Sequence, residues 1–336
     1  MIRRPPRSTP SNSSAASDVY KRQPQQSPAP ILKLEQIIRD CLVGYGFQEA
    51  ITYSLTSLDM LLRLKPQSRH IEPMPLRLAN PMTAEQEYLR PTLRANILAL
   101  LASNRRHEEG GIRLFELGKI YLPVEGGLPS EPEVLCGLLS GPRLDKSWLG
   151  DGGQLDFFDA KGAVEGLFSQ LGVTASLMPG DDESLHPVRQ AAIVVNGQKF
   201  GVIGELHPKV AEAFDISEAA YLFEINVTDL LPFTTENRMF QPIPRFPPTV
   251  RDIALVVDVD VSHQQVLEVI KGFSLVKQAT IFDVYSGKQV PAGKKSLAYR
   301  ITYQSPTHTL TDEEVNKVQE QILKKLKHQL GATLRG

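Results

Sequence analysis

Residues 293 to 315 read GKKSLAYRITYQSPTHTLTDEEV, a doubly basic turn, an alternating strand and a helix start in one stretch. Leu297, Tyr299, Ile301 and Tyr303 recur at every second position. Neighbouring side chains of a strand point to opposite faces, so this row faces a core while Ala298, Arg300, Thr302 and Gln304 face out. Thr311 and Glu314 have capping-box spacing, and Val315, Val318, Ile322, Leu326 and Leu330 supply the apolar stripe of the helix that follows. Lys324, Lys325 and Lys327 fall in its last turn, Gly331 stops it, and ATLR adds a final short strand.

Upstream, DIALVVD reads as a strand and SHQQVLEVIKGF as a helix. Ser262 and Gln265 cap that helix, and Val266, Ile270 and Phe273 line one face. QATIFDVYSG is a further strand. The order βαββαβ predicts a ferredoxin-like arrangement over 249–336, with two helices on one sheet face and the other face open. Parity sends Ile253, Leu255, Val257, Phe282 and Val284 inward and leaves Asp252, Ala254, Val256, Asp283 and Tyr285 on the open face. With Lys288, Lys294, Lys295 and Arg300 around Tyr285, such a surface suits stacking on single-stranded bases while its rim meets phosphate. Asp252 and Asp283 oppose indiscriminate phosphate binding, and the aromatic signature of RNA-recognition modules is absent. An ordinary solvated sheet face is the other reading.

Residues 234–248 are proline-rich and read as an extended linker. Before it, over 31–233, helices alternate with mostly antiparallel strands. ILKLEQIIRDCLVGYGF places Leu34, Ile37, Ile38, Cys41 and Leu42 on one helical face and ends at Gly44 or Gly46. QEAITYSL alternates as a strand, and a turn then leads to a helix striped by Leu93, Ile97, Leu100 and Leu101. IRLFELGK is a strand, FFDAKGAVEGLFSQLG a helix, AAIVVNGQKFGVIGEL a hairpin turning at Asn196-Gly197, and AYLFEINVTDL a strand. This pattern predicts an α+β domain around a central sheet.

Charge is unevenly spread: +4 over 1–30, −9 over 31–242 and +4 over 243–336, for a net −1. The basic C-terminal segment admits either a local polyanion contact or a solvated surface. No apolar run reaches the roughly 18 residues of a spanning helix, which predicts a soluble protein with no membrane partner. Cys41 and Cys136 lack metal-ligand spacing and read as reduced, buried thiols of a cytoplasmic protein. The histidines are scattered, His186 and His207 precede prolines, and no metal site is expected. Residues 1–30 form a Ser-, Pro- and Arg-rich leader without a signal-peptide core, and its first 23 residues resemble translated sequencing adapter. No phosphate loop, dinucleotide fingerprint or nucleophile elbow occurs.

Five blocks in order, GFQEAITYSL, NPMTAEQEYLRPTL, RLFELGKIY, FDAKGAVEGL and GVIGELHP, resemble the catalytic-like module of the bacterial phenylalanyl-tRNA synthetase beta subunit. PTVRDIALVVD, the strand–loop–strand from FDVYSG to DEEVN, and GATLR resemble the ferredoxin-fold anticodon-binding domain that closes that subunit. The likeness runs from about Leu34 to the C-terminus. It implies a class II synthetase-like fold for the first module, without catalysis. A working class II site needs fixed arginines on the nucleotide phosphates, whereas RLFELGK reads as a core strand and FGVIGELHP offers Glu205 where a cation is required. No catalytic residue is therefore assigned.

The resemblance further implies phenylalanine–tRNA ligase, with two alpha and two beta subunits, the catalytic alpha subunit and phenylalanine tRNA as partners, and ATP used by alpha. Magnesium is implied as well, but its acidic ligand segment, the N-terminal tRNA-binding module and the editing domain have no counterpart here. NPMTAEQEYLRPTL reads both as a turn with a helix start and as a subunit contact, which nominates Asn80, Arg90 and Arg94. Tyr285, Lys288, Lys294, Lys295 and Arg300 are nominated for tRNA from parity and charge. Val188 in HPVR replaces the glycine usual in the family and questions the turn near Arg189. Two further readings are a single-chain organellar-type phenylalanyl-tRNA synthetase, which needs a complete class II site, and a ferredoxin-like regulatory module for a small ligand, which the basic rim disfavours.

Overall fold

The computed structural model describes residues 29–335 except 69, 146, 149, 151, 236–239, 241, 288 and 289. The leader up to residue 28 and Lys288 lie outside the described residues. The chain divides into two compact units, 1–238 and 239–336.

In chain order the first unit contains α1 (Pro30–Gly44), β1 (Gln48–Glu49), β2 (Leu55–Thr56), α2 (Leu58–Leu62), β3 (Tyr88–Leu89), α3 (Arg94–Arg105), β4 (Ile112–Lys119) and β5 (Glu133–Ser140). It continues with α4 (Phe157–Gln170), β6 (Ser176–Pro179), β7 (Leu185–Val195), β8 (Gln198–Leu206), α5 (Pro208–Ala213), β9 (Ala220–Asn226) and α6 (Val227–Leu230). Seven strands form one sheet in the order β1-β4-β5-β9-β8-β7-β6. Only the β1–β4 pair is parallel.

Helices cover both faces. α1 starts with Pro30, whose missing N–H and fixed φ suit a first turn, and buries Leu34, Ile38 and Leu42. α4 is opened by a reciprocal capping box between Asp156 and Asp159 and buries Ala160, Ala163, Val164, Leu167 and Phe168. Together they pack over Phe115, Leu117, Leu135, Leu139 and Phe223. On the opposite side Ile97, Leu98 and Leu101 of α3, with Val210 and Phe214, cover Ile112, Leu114, Cys136, Leu138 and Leu222. Because both faces are covered, β5 is apolar nearly throughout rather than alternating. Gly137 in its middle allows the Phe223 ring to lie across the strand, since a Cβ there would sit 2.0 Å from the ring. Asn196 and Gly197 both have positive φ, 49° and 83°, as the tight hairpin turn requires.

QEAITYSL does not form the single strand expected. The extended segments are β1 and β2, and between them Ile51 and Tyr53 are 91% and 75% exposed. The alternation is present, but it separates solvent from an ion-paired interior, because Thr52 bonds the Glu116 side chain of β4 instead of continuing the backbone ladder.

The second unit contains β10 (Thr249–Asp258), α7 (His263–Lys271), β11 (Val276–Tyr285), β12 (Lys294–Tyr303), α8 (Asp312–Leu330) and β13 (Thr333–Leu334). Its sheet is antiparallel throughout, ordered β11-β12-β10-β13, which is the βαββαβ ferredoxin-like arrangement. Both capping boxes form, at Ser262–Gln265 and Thr311–Glu314, and Gly331 ends α8 in the left-handed conformation. Leu297, Tyr299, Ile301 and Tyr303 are buried with Ile253, Leu255 and Val257 beneath the helices.

One expected orientation is overturned. The register steps from Ile281↔Tyr299 to Asp283↔Ala298, so Phe282 is the extra residue of a β-bulge. It is 55% exposed rather than buried. Val284 pairs with Leu297 and so keeps inward parity, yet it is 58% exposed near the strand end and adds little to the core.

Candidate nucleic-acid interface

Three register rows cross the open face of the second unit: Thr280, Arg300 and Asp252; then Asp283, Ala298 and Ala254; then Tyr285, Ser296 and Val256. Small side chains make the central floor, and aromatic–arginine pairs stand at either side. Arg300 donates from Nε and Nη2 to the two carboxylate oxygens of Asp252 at 2.9 and 2.8 Å. Its guanidinium carbon lies 5.4 Å from the centre of the Phe282 ring. The hydrogen bond from Arg300 holds the Asp252 carboxyl below its ordinary range, and the same bond raises the Arg300 pKa. At the other end, Arg335 donates its backbone N–H to Ala254 O at 2.9 Å and places its guanidinium 5.1 Å from the Tyr285 ring centre.

Tyr285 and Arg300 thus lie on the open face, as parity places them, but the Arg300 charge is already paired. Lys294 is 3.1 Å from Asp258. Lys295 shares the parity of the helix-covered face and donates to Val259 O at 2.8 Å. Strand parity in the sequence assigns Phe282 to the core, and it does not mark Arg335. The terminal ATLR strand carried a signal for Arg335, because a strand closing the sheet edge puts its last side chain beside the face; the bulge that exposes Phe282 has no sequence mark.

In the first unit the three nominated contact residues part ways. Asn80 is exposed. Arg90 is only 4% exposed and donates from Nη1 to Glu116 at 2.6 Å and Thr52 Oγ1 at 3.0 Å, and from Nε to Lys119 O at 3.0 Å. Arg94 donates to Glu224 at 2.8 Å, Asp182 at 2.7 Å and Ser184 Oγ at 2.9 Å. Burial opposes the Arg94 charge, but Glu224 and Asp182 outweigh it and raise the pKa. The cleft of about 510 Å³ beside Arg94 contains two more neutralised cations, Lys65 at 2.6 Å from Glu183 and Lys199 at 3.4 Å from Asp181. Glu205 is paired with Arg189 at 2.6 Å. The HPVR turn is held without glycine, since His186 Nδ1 accepts from the backbone N–H groups of Val188 and Arg189 at 3.1 and 3.3 Å. Among the described residues no three His, Cys, Asp or Glu side chains are grouped to hold a metal ion, and no helix is long and apolar enough to cross a membrane.

Residues 19–227 match the family model of the phenylalanyl tRNA synthetase beta chain CLM domain. The chain belongs to the phenylalanyl-tRNA synthetase beta chain family. Residues 244–335 match the ferredoxin-fold anticodon binding domain. Among curated relatives, the phenylalanine–tRNA ligase beta subunit of Dehalococcoides mccartyi strain 195 is 46% identical over 312 residues, covering 93% of this chain and 38% of that protein. The subunit of the same name from Geobacillus kaustophilus is 42% identical over 304 residues, covering 89% and 37%. The chain therefore spans less than two fifths of the length of these relatives. Among solved structures, a pyrrolysyl tRNA synthetase of Desulfitobacterium hafniense superposes with a TM-score of 0.50 at 17% identity over 65% of this chain and 74% of that one. That likeness bears on the fold alone.

Proposed function

We propose that this chain is a non-catalytic part of a phenylalanine–tRNA ligase beta subunit, holding the catalytic alpha subunit with its first unit and the anticodon region of phenylalanine tRNA with its second. The observation that carries the reading is a beta-chain CLM module followed by an anticodon-binding fold whose helix-free sheet face carries two arginine–aromatic pairs. The assembly is a cytoplasmic heterotetramer of two alpha and two beta subunits that joins phenylalanine to its tRNA. ATP is used by the alpha subunit, and magnesium serves the assembly. ATP does not fit this chain's cleft, because Arg94, Lys65 and Lys199 each face a carboxylate and present no uncompensated cation to a phosphate, and among the described residues no three His, Cys, Asp or Glu side chains are grouped to hold magnesium.

Two features support a protein contact on the first unit: Ile51 and Tyr53 project together into solvent, and Asn80 stands exposed on the segment before β3. Arg90 and Arg94 support that surface from within, as the ion pairs that fix it.

The test combines two measurements on the purified chain. It should bind an unmodified phenylalanine tRNA transcript and co-purify with a bacterial alpha subunit, yet show no phenylalanine-dependent ATP–pyrophosphate exchange by itself. Exchange activity from the chain alone, or failure to bind either partner, refutes the proposal.

A further inference from the structure

The open face of the second unit carries an exposed aromatic ring that the strand pattern by itself does not put there. Alternation past Ile281 allows one outward residue before the next inward one, but the bulge adds Phe282 to the outward side, next to Asp283. An exposed phenylalanine has no hydrogen-bonding tip to justify its contact with water. Bulges also interrupt a ladder, and they recur where a side chain must be re-aimed. Here the re-aimed ring meets Arg300 at 5.4 Å, and Arg300 is clamped in a two-point contact by Asp252. A planar guanidinium held at both Nε and Nη2 cannot swing toward a phosphate without breaking both bonds. Its charge is neutralised, while its flat surface and the adjoining ring remain exposed.

We infer that Phe282, Arg300 and Asp252 form a stacking platform for one unpaired nucleobase of a single-stranded RNA, separate from the Tyr285–Arg335 pair. This rests on the proposed RNA-binding role of the second unit and specifies how one part of its face acts. Phe282 and Tyr285 are three residues apart on β11, which at the rise of a strand separates them by at most about 10 Å. Between them lie Ala298 and Ala254, with the exposed Asp283 at the end of the same row. Phe282 is the stacking residue, and Asp252 is a positioning residue that acts through Arg300.

The experiment uses the full chain and an unmodified phenylalanine tRNA transcript, with affinity measured across a salt series and a second transcript carrying 2-aminopurine in the anticodon loop. Phe282→Ala should weaken binding about tenfold, leave the salt slope unchanged and relieve part of the 2-aminopurine quenching, with Phe282→Tyr restoring both. Asp252→Asn should release Arg300 to phosphate, steepening the salt slope by about one while quenching falls. Thermal melting of each variant confirms that the fold is kept, as expected for exposed positions. Unchanged affinity and quenching in Phe282→Ala, with Tyr285→Ala still weakening binding, overturns the platform and leaves the RNA-binding role standing. Absence of binding by the unaltered chain overturns both.

Discussion

Replacing Arg90 by methionine should remove much of the stability of the first unit. The guanidinium is 4% exposed and its partner Glu116 is 2% exposed, so neither charge has water to turn to. Glu116 accepts from Arg90 at 2.6 Å, from Thr52 Oγ1 at 2.8 Å and from Thr52 N at 3.2 Å. Without Arg90 a buried carboxylate keeps only the two bonds from Thr52, and breaking a buried pair on one side costs about 3–5 kcal/mol. Methionine retains the apolar stem, which limits any packing loss. With a denaturant slope of about 2–3 kcal/mol per M, the urea midpoint of the first unit falls by about 1–2.5 M. Circular dichroism follows the transition, with the second unit as internal reference. The paired change Arg90→Met with Glu116→Leu removes both charges and should lose less than either single change, because nothing ionic is then left buried. A midpoint unchanged by Arg90→Met, or a double variant that loses the sum of the singles, refutes the argument and returns Arg90 to a role outside the fold.

Gly137→Ala should destabilise the first unit by about 1–3 kcal/mol, because the new methyl meets the Phe223 ring at 2.0 Å and the ring is itself fully buried; a calorimetric melt within error of the unaltered chain would exclude that clash. Burial pushes the Asp182 carboxyl up, but Arg94 and Ser184 outweigh it and lower its pKa. A carboxyl lowered on folding contributes stability above its unfolded pKa of about 3.9, and that contribution is lost as pH falls through the folded value. Asp182→Asn should therefore weaken the first unit at neutral pH and flatten its acid limb below about pH 4, as urea titrations at stepped pH would reveal; an acid limb of unaltered slope counts against the linkage.

The second unit was legible because its signals are local. Capping boxes at Ser262 and Thr311, a glycine stop at Gly331 and the Leu297–Tyr303 alternation each act within a few residues, and together they fix the order βαββαβ. The open face followed from parity, and with it Tyr285 and Arg300. The first unit was less legible: QEAITYSL has strand alternation, but its polar half turns toward Glu116 and Arg90, distant in sequence, and the ladder is broken there.

By itself the sequence determined the periodicities, the caps, the two-unit order and the family. Tertiary structure alone decided which charges are free and which are spent. Arg90, Arg94 and Arg300 are alike as letters, but each meets a carboxylate brought to it by another strand or loop, and this neutralises the cations of the first cleft while holding Arg300 beside Phe282. A bulge is equally invisible beforehand, since one extra residue changes parity through the partner strand's register and leaves no trace in composition.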